Sequence, residues 1–201
     1  MKALPRVYPV VDSAEWLCRL LLVGVRLVQL RVKDRPLEHL RREIRTSKAL
    51  CARHGAQLIV NDYWQLAIEE GCDYVHLGQT DLDTADVPLL RRSGVRIGIS
   101  THDAAELRRA LALDPDYVAL GPIYPTLLKV MPWAPQGLAR IGEWKRHIGH
   151  RPLVAIGGLT VERLADVFAA GADVAAVVTD VVKHPAPEQR MREWLAAATA
   201  S

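Results

Sequence analysis

Short apolar, β-branched runs alternate with longer segments of helical period along this whole chain, and no other feature restricts its fold as much. The strand candidates are Val7–Val11, Leu27–Arg31, Gln57–Val60, Tyr74–Leu77, Arg96–Ser100, Tyr117–Leu120, Leu153–Ile156 and Asp173–Val178. Between them lie amphipathic stretches such as Leu37–His54, Asp103–Leu113 and Val161–Ala170, with apolar residues recurring at three and four positions. The strand runs are nearly continuously apolar, as expected of strands covered on both faces. Eight βα repeats in 201 residues predict an α/β chain closed into a (β/α)8 TIM barrel, at the small end of that fold's size range. A doubly wound sheet usually needs fewer strands and often carries a glycine fingerprint after the first; here Val11-Asp12-Ser13 follows it and no GxGxxG occurs. No linker or low-complexity stretch interrupts the alternation, so residues 1–201 are read as one barrel domain.

Composition narrows the function classes. With 26 basic and 23 acidic side chains the formal charge is +3, and no Lys or Arg block suggests a nucleic-acid partner. A small anionic ligand suits a mildly basic surface better. Cys18, Cys51 and Cys72 show no CxxC spacing, which argues against a zinc site or a disulfide framework and for reduced thiols in a cytoplasmic protein. Pro5 and Pro9 break the amino-terminal apolar stretch, so it does not read as a signal peptide, and no run approaches the roughly 20 apolar residues that span a bilayer. A membrane partner is therefore not expected, whereas a homodimer is compatible with a barrel of this size.

In a TIM barrel the chemistry belongs at the carboxyl ends of the strands. After the second strand, period-two alternation sends Gln29, Arg31 and Lys33 to one side. Asn61-Asp62 ends the third, and the fourth runs into His76-Leu77-Gly78-Gln79-Thr80-Asp81, so Asp62 and Asp81 emerge from neighbouring strands. Adjacent carboxylates repel unless a proton or cation lies between them, and Mg²⁺ shared with substrate phosphates is a common solution; each Asp taken singly is equally well a cap or turn residue. Ser100 ends the fifth strand. The Pro-rich stretch Gly121-Pro122-Ile123-Tyr124-Pro125-Thr126-Leu127-Leu128-Lys129 follows the sixth and suits either a mobile lid over an anion or a plain solvated loop. Gly157-Gly158 after the seventh strand and Val178-Thr179 after the eighth stand where TIM barrels often bind phosphate, although paired glycines also serve as simple turns. No HExxH spacing surrounds His76 or His102, no GxSxG surrounds Ser100, and Trp64, Trp133 and Trp144 are scattered, which removes zinc enzymes, serine hydrolases and single-strand binders.

Together these segments resemble the thiamine phosphate synthase family. The residues that carry the resemblance are 28–34 (VQLRVKD), 60–67 (VNDYWQLA), 75–82 (VHLGQTDL), 99–102 (ISTH), 121–126 (GPIYPT), 134–138 (APQGL) and 154–158 (VAIGG), in the family's order and across nearly the whole chain. The resemblance implies a TIM-barrel transferase joining 4-amino-5-hydroxymethyl-2-methylpyrimidine diphosphate to 4-methyl-5-(2-phosphooxyethyl)thiazole, with Mg²⁺. Carried over by position, Gln29 would bond the pyrimidine, Arg31, Lys33, Asn61, Ser100 and Lys129 would hold the diphosphate, and Asp62 and Asp81 would ligate Mg²⁺. Thr126 and the following lid would cover the substrates, and the backbone at Gly158, Val178 and Thr179 would receive the thiazole's phosphate. For His76 a place beside the pyrimidine and a structural polar role both stand.

Five positions depart from the family's pattern. Leu127-Leu128 replace a polar residue and a threonine before Lys129, Thr80 stands where an acidic residue is common, and Thr179-Asp180 stand in place of a Ser-Ala pair. A carboxylate at Asp180 would repel a phosphate unless it points away. Two other functions compete with coupling: a thiazole tautomerase on the same barrel, which could dispense with Arg31, Lys33, Asp62, Asp81 and Lys129, and a catalytically weak barrel that binds thiamine phosphates.

Overall fold

The computed structural model describes residues 4–126 and 133–200. Eight parallel strands close into a barrel in sequence order, β1 Val7–Val11, β2 Leu27–Leu30, β3 Gln57–Asn61, β4 Tyr74–Leu77, β5 Arg96–Thr101, β6 Tyr117–Leu120, β7 Leu153–Ala155 and β8 Val174–Val177, with β8 returning to β1. The helices are α1 Ala14–Leu22, α2 Leu37–His54, α3 Trp64–Glu69, α4 Val87–Arg92, α5 Ala104–Ala112, α6 Gly137–Ile148, α7 Leu164–Ala169, α8 Thr179–Val182 and α9 Pro187–Ala200. The TIM barrel expected from the alternation is the fold observed. Boundaries move by a few residues: β2 stops at Leu30, β7 at Ala155 and β8 at Val177, while β3 and β5 run on to Asn61 and Thr101. The stretch 161–170 splits into a 3-10 turn, Val161–Arg163, and α7.

Local chemistry explains the helix limits. Ser13 accepts from the Trp16 N–H at 3.3 Å to start α1, and the Asp103 carboxylate accepts from the Ala105 and Glu106 N–H groups at the start of α5. The α2 span matches its sequence pattern because Leu40, Ile44, Ser47 and Cys51 make one buried stripe and Gly55 ends it at φ +61°.

Period two divides each strand. Tyr8, Leu27, Ile59, Tyr74, Tyr117, Ala119, Val154, Val174 and Ala176 fill the barrel, separately from the larger apolar shell between strands and helices. Gly98 makes room for one of them: a Cβ there would lie 2.0 Å from Tyr117 Cζ. At the amino ends of the strands, aspartates tie neighbouring strands together. Asp116 before β6 accepts from the Ile97 N–H of β5 at 2.8 Å, and Asp173 before β8 accepts from the Leu153 N–H of β7 at 2.7 Å. Asp73 before β4 accepts from Arg96 and from the Gln57 amide of β3. Structural charge pairs thus gather at the amino end of the barrel, and the candidate site residues lie at the carboxyl end.

Candidate active site

Register sets the mouth. Asn61 pairs with His76, His76 with Gly98 and Ser100 with Ala119, so side chains from successive strands meet at the carboxyl end. The Asp62 N–H bonds the His76 carbonyl at 2.9 Å and the Asp62 carbonyl accepts from the Trp64 N–H at 2.7 Å. Between these bonds Asp62 takes φ +61°, a left-handed conformation that Asp tolerates better than most residues and that turns its carboxylate into the mouth. There it receives the Lys33 ammonium as an ion pair. The Gly78 N–H holds Asp81 Oδ2 at 2.7 Å, and burial together with the neighbouring Asp62 carboxylate pushes the Asp81 carboxyl upward. Two carboxylates held against one another call for a proton or a cation between them.

Asn61 is 4% exposed, and its Nδ2 is one of two buried side-chain polar atoms without a hydrogen-bond partner among the described residues, the other being Ser47 Oγ. A buried donor without an acceptor costs about 1–3 kcal/mol, so this amide is poised for a ligand oxygen. Arg31 and Lys33 stand exposed just past β2, with the Arg31 N–H fixed on the Val11 carbonyl at 2.7 Å.

Gln29 and Ser100 are linked through the barrel interior. Gln29 Nε2 donates to Tyr8 Oη at 2.8 Å, Tyr8 and Tyr117 hydroxyls lie 3.0 Å apart, and Tyr117 Oη lies 2.7 Å from His76 Nδ1. His76 Nε2 in turn lies 2.7 Å from Ser100 Oγ. Burial lowers the His76 pKa to about 4, and burial raises those of Tyr8 and Tyr117.

Across the mouth, Gly157 and Gly158 adopt φ +98° and +65°. A Cβ on Gly158 would fall 2.5 Å from the Pro125 carbonyl oxygen, so this glycine lets the loop after β7 press on the loop after β6. The Tyr124 N–H bonds the Gly157 carbonyl at 3.0 Å, and Arg163 donates to the Gly158 carbonyl while its guanidinium lies 4.2 Å from the Tyr124 ring centre. The α8 helix starts at Thr179, so the N–H groups of its first turn have no partner within the helix. Thr126 sits partly buried at the rim; Leu127, Leu128 and Lys129 lie outside the described residues. Beyond them, Trp133 stacks on His102 at 4.0 Å between ring centres, and His102 Nδ1 meets Glu106 at 2.7 Å.

Asp180 points away from the mouth. Its carboxylate accepts from Arg190 Nε at 2.8 Å and from Trp194 Nε1 at 2.7 Å, both on α9. The repulsion that a carboxylate would bring to a phosphate loop is thereby removed, and the residue becomes a tie between the eighth βα unit and the last helix. Because both charged side chains are largely buried, Asp180→Ala is expected to cost about 2 kcal/mol, or a fall of roughly 4–8 °C in Tm by thermal denaturation, with turnover retained.

The family model described as thiamine monophosphate synthase matches residues 7–181. The chain belongs to that family. A thiamine-phosphate synthase of Rhizobium etli is 60% identical over 190 residues, covering 94% of this chain and 93% of that protein. One from Serratia proteamaculans is 51% identical over 182 residues, covering 89% and 84%. Among solved structures, the thiamine phosphate pyrophosphorylase from Pyrococcus furiosus superposes with a TM-score of 0.87 at 22% identity, covering 98% of this chain and 96% of that one, a likeness of fold.

Within the thiamine monophosphate synthase fold, Gln29, Arg31, Lys33, Asn61, Asp62, His76, Asp81 and Ser100 lie at the ends of β2 to β5, while Gly158, Val178 and Thr179 follow β7 and β8. Sequence reasoning missed Tyr8 and Tyr117, since an aromatic inside an apolar strand run reads as core; the available signal was that both occupy inward positions of the period-two pattern. It also missed Arg163, whose partner Gly158 is a backbone carbonyl. The described residues contain no group of three or more His, Cys, Asp or Glu able to hold a metal, but the paired Asp62 and Asp81 carboxylates supply hard oxygen ligands suited to a Mg²⁺ ion completed by substrate oxygens. The residues fit such an ion.

Proposed function

We propose that this mouth couples 4-amino-5-hydroxymethyl-2-methylpyrimidine diphosphate to 4-methyl-5-(2-phosphooxyethyl)thiazole, forming thiamine phosphate and diphosphate, in the cytoplasm. The observation that carries the reading is the convergence of Lys33, Asp62 and Asp81 beside the unpartnered Asn61 amide, a set suited to an anion that shares a divalent cation. Gln29 orients the pyrimidine. Arg31, Lys33, Asn61 and Ser100, with Lys129, hold the diphosphate, and Asp62 and Asp81 would hold Mg²⁺, which neutralises diphosphate charge when bound. The backbone at Gly158, Val178 and Thr179 receives the thiazole's phosphate, and Thr126 covers the substrates at the rim.

Diphosphate departs before the thiazole nitrogen attacks, leaving a pyrimidine carbocation between two anions. The protein's task is then to stabilise the leaving group and to align the nucleophile, for which preorganised cations and hydroxyl donors suffice without a covalent intermediate. The buried His76 stays neutral at physiological pH, so it adds no positive charge beside the carbocation.

The test is formation of thiamine phosphate from the two purified substrates, with Mg²⁺ and after its removal by chelation. Metal-dependent product with one diphosphate released per turnover is expected. Tight binding of either substrate or of thiamine phosphate, with no product, would instead favour a thiazole tautomerase or a barrel that only binds thiamine phosphates.

A further inference from the structure

We propose that Tyr117, backed by Tyr8, is a positioning residue that fixes the proton of His76 on Nε2 and so directs the Ser100 hydroxyl hydrogen at the diphosphate. This rests on the reading that Ser100 binds the diphosphate.

Proton counting sets the direction of the buried chain. Gln29 Nε2 donates to Tyr8 Oη at 2.8 Å, so the single hydroxyl proton of Tyr8 goes to the other neighbour of its oxygen, Tyr117 Oη at 3.0 Å. Tyr117 Oη is then occupied as an acceptor, and its own proton goes to His76 Nδ1 at 2.7 Å. Nδ1 must therefore be bare. A neutral imidazole carries its hydrogen on one nitrogen only, which places it on Nε2, donating to Ser100 Oγ at 2.7 Å. Ser100 Oγ thus receives a hydrogen from inside the barrel, and its own hydrogen is left to face the mouth. The opposite polarity would have Ser100 donate into His76 and face the diphosphate with lone pairs, which repel an anion.

The chain is built in rather than incidental. Tyr8, Tyr117 and His76 are buried, the Tyr117 ring lies nearly parallel to the His76 ring at 5.7 Å between centres, and the space for Tyr117 exists because residue 98 has no side chain. Burial keeps both phenols protonated, so neither of these two inner links reverses by ionisation. The Gln79 amide donates to the Ser100 carbonyl at 2.7 Å and holds its backbone from the other side.

Two measurements test this. In ¹⁵N-histidine-labelled protein, with His76 assigned by its loss in His76→Asn, long-range ¹H–¹⁵N spectra should show a neutral ring protonated on Nε2. A ring protonated on Nδ1 overturns the proposal whatever the enzyme's activity. Kinetically, Tyr117→Phe keeps the ring and removes the donor; it should lower kcat about ten- to hundredfold, leave the KM for the thiazole phosphate unchanged, and give His76 nitrogen shifts intermediate between the two tautomers. In a Ser100→Ala background the same substitution should cost less than twofold, because its effect acts through the missing hydroxyl. An equal cost in both backgrounds, or full turnover in Tyr117→Phe, overturns the proposal. Unimpaired Ser100→Ala would instead overturn the assignment of Ser100 to the diphosphate, and with it the catalytic purpose of the chain, while the tautomer itself is still decided by the spectra.

Discussion

Arg31→Ala is expected to lower turnover by about 10²–10³-fold, the cost of removing one preorganised group from a site where negative charge develops on a leaving group. The Arg31 backbone is held at the barrel rim by its N–H bond to the Val11 carbonyl at 2.7 Å, while the side chain is exposed and contributes nothing to the core. Activity should therefore fall with the melting temperature nearly unchanged. Arg31→Lys should recover only part of the loss, because an ammonium is a point charge and lacks the planar fork that grips two oxygens at once. Steady-state kcat at saturating substrates together with thermal denaturation reads both quantities. Full turnover in Arg31→Ala would remove the proposed diphosphate site.

The largest stability effect is expected at Gly98. A methyl group there would sit 2.0 Å from Tyr117 Cζ and 2.5 Å from its oxygen, in the middle of a closed barrel where neither β5 nor β6 can shift independently. Overpacking of a dense core costs about 1–3 kcal/mol and occasionally more, and displacing Tyr117 also breaks its bonds to Tyr8 and His76. Gly98→Ala should therefore lose about 3 kcal/mol, lowering Tm by roughly 6–12 °C. Combining it with Tyr117→Leu should return part of that stability. A single variant melting within 2 °C of the parent protein would mean that the barrel yields more readily than its packing implies.

Much of the fold was legible because hydrophobic periodicity needs only neighbours in sequence. Val7–Val11, Tyr74–Leu77 and Tyr117–Leu120 could be read to the residue, as could α2, where an apolar stripe meets a terminating glycine. Strand ends were less legible: whether Arg31 or Val178 still belongs to a strand depends on the partner strand's length, not on its own side chain. Among the site residues, Asp62 and Asp81 were recognisable as a pair because successive strands of a parallel barrel are neighbours. The path from Gln29 to Ser100 was not, since it joins Tyr8 to Tyr117 across 109 residues, and that meeting is fixed only once the barrel closes. Asp180 was misleading for the same reason: its charge reads as a burden on a phosphate loop until Arg190 and Trp194, ten and fourteen positions later, are seen to hold it.

The loop after β6 leaves and rejoins the barrel through adjacent bonds, the Gln136 N–H to the Pro122 carbonyl at 2.7 Å and the Gly137 N–H to the Ile123 carbonyl at 3.0 Å. Such a neck fixes the distance between the loop's ends independently of what lies between them. Doubling the enclosed length would add only about 0.6 kcal/mol of closure entropy, so the cost of closing this loop depends only weakly on its length. Loop length and barrel closure are thereby set by separate parts of the chain.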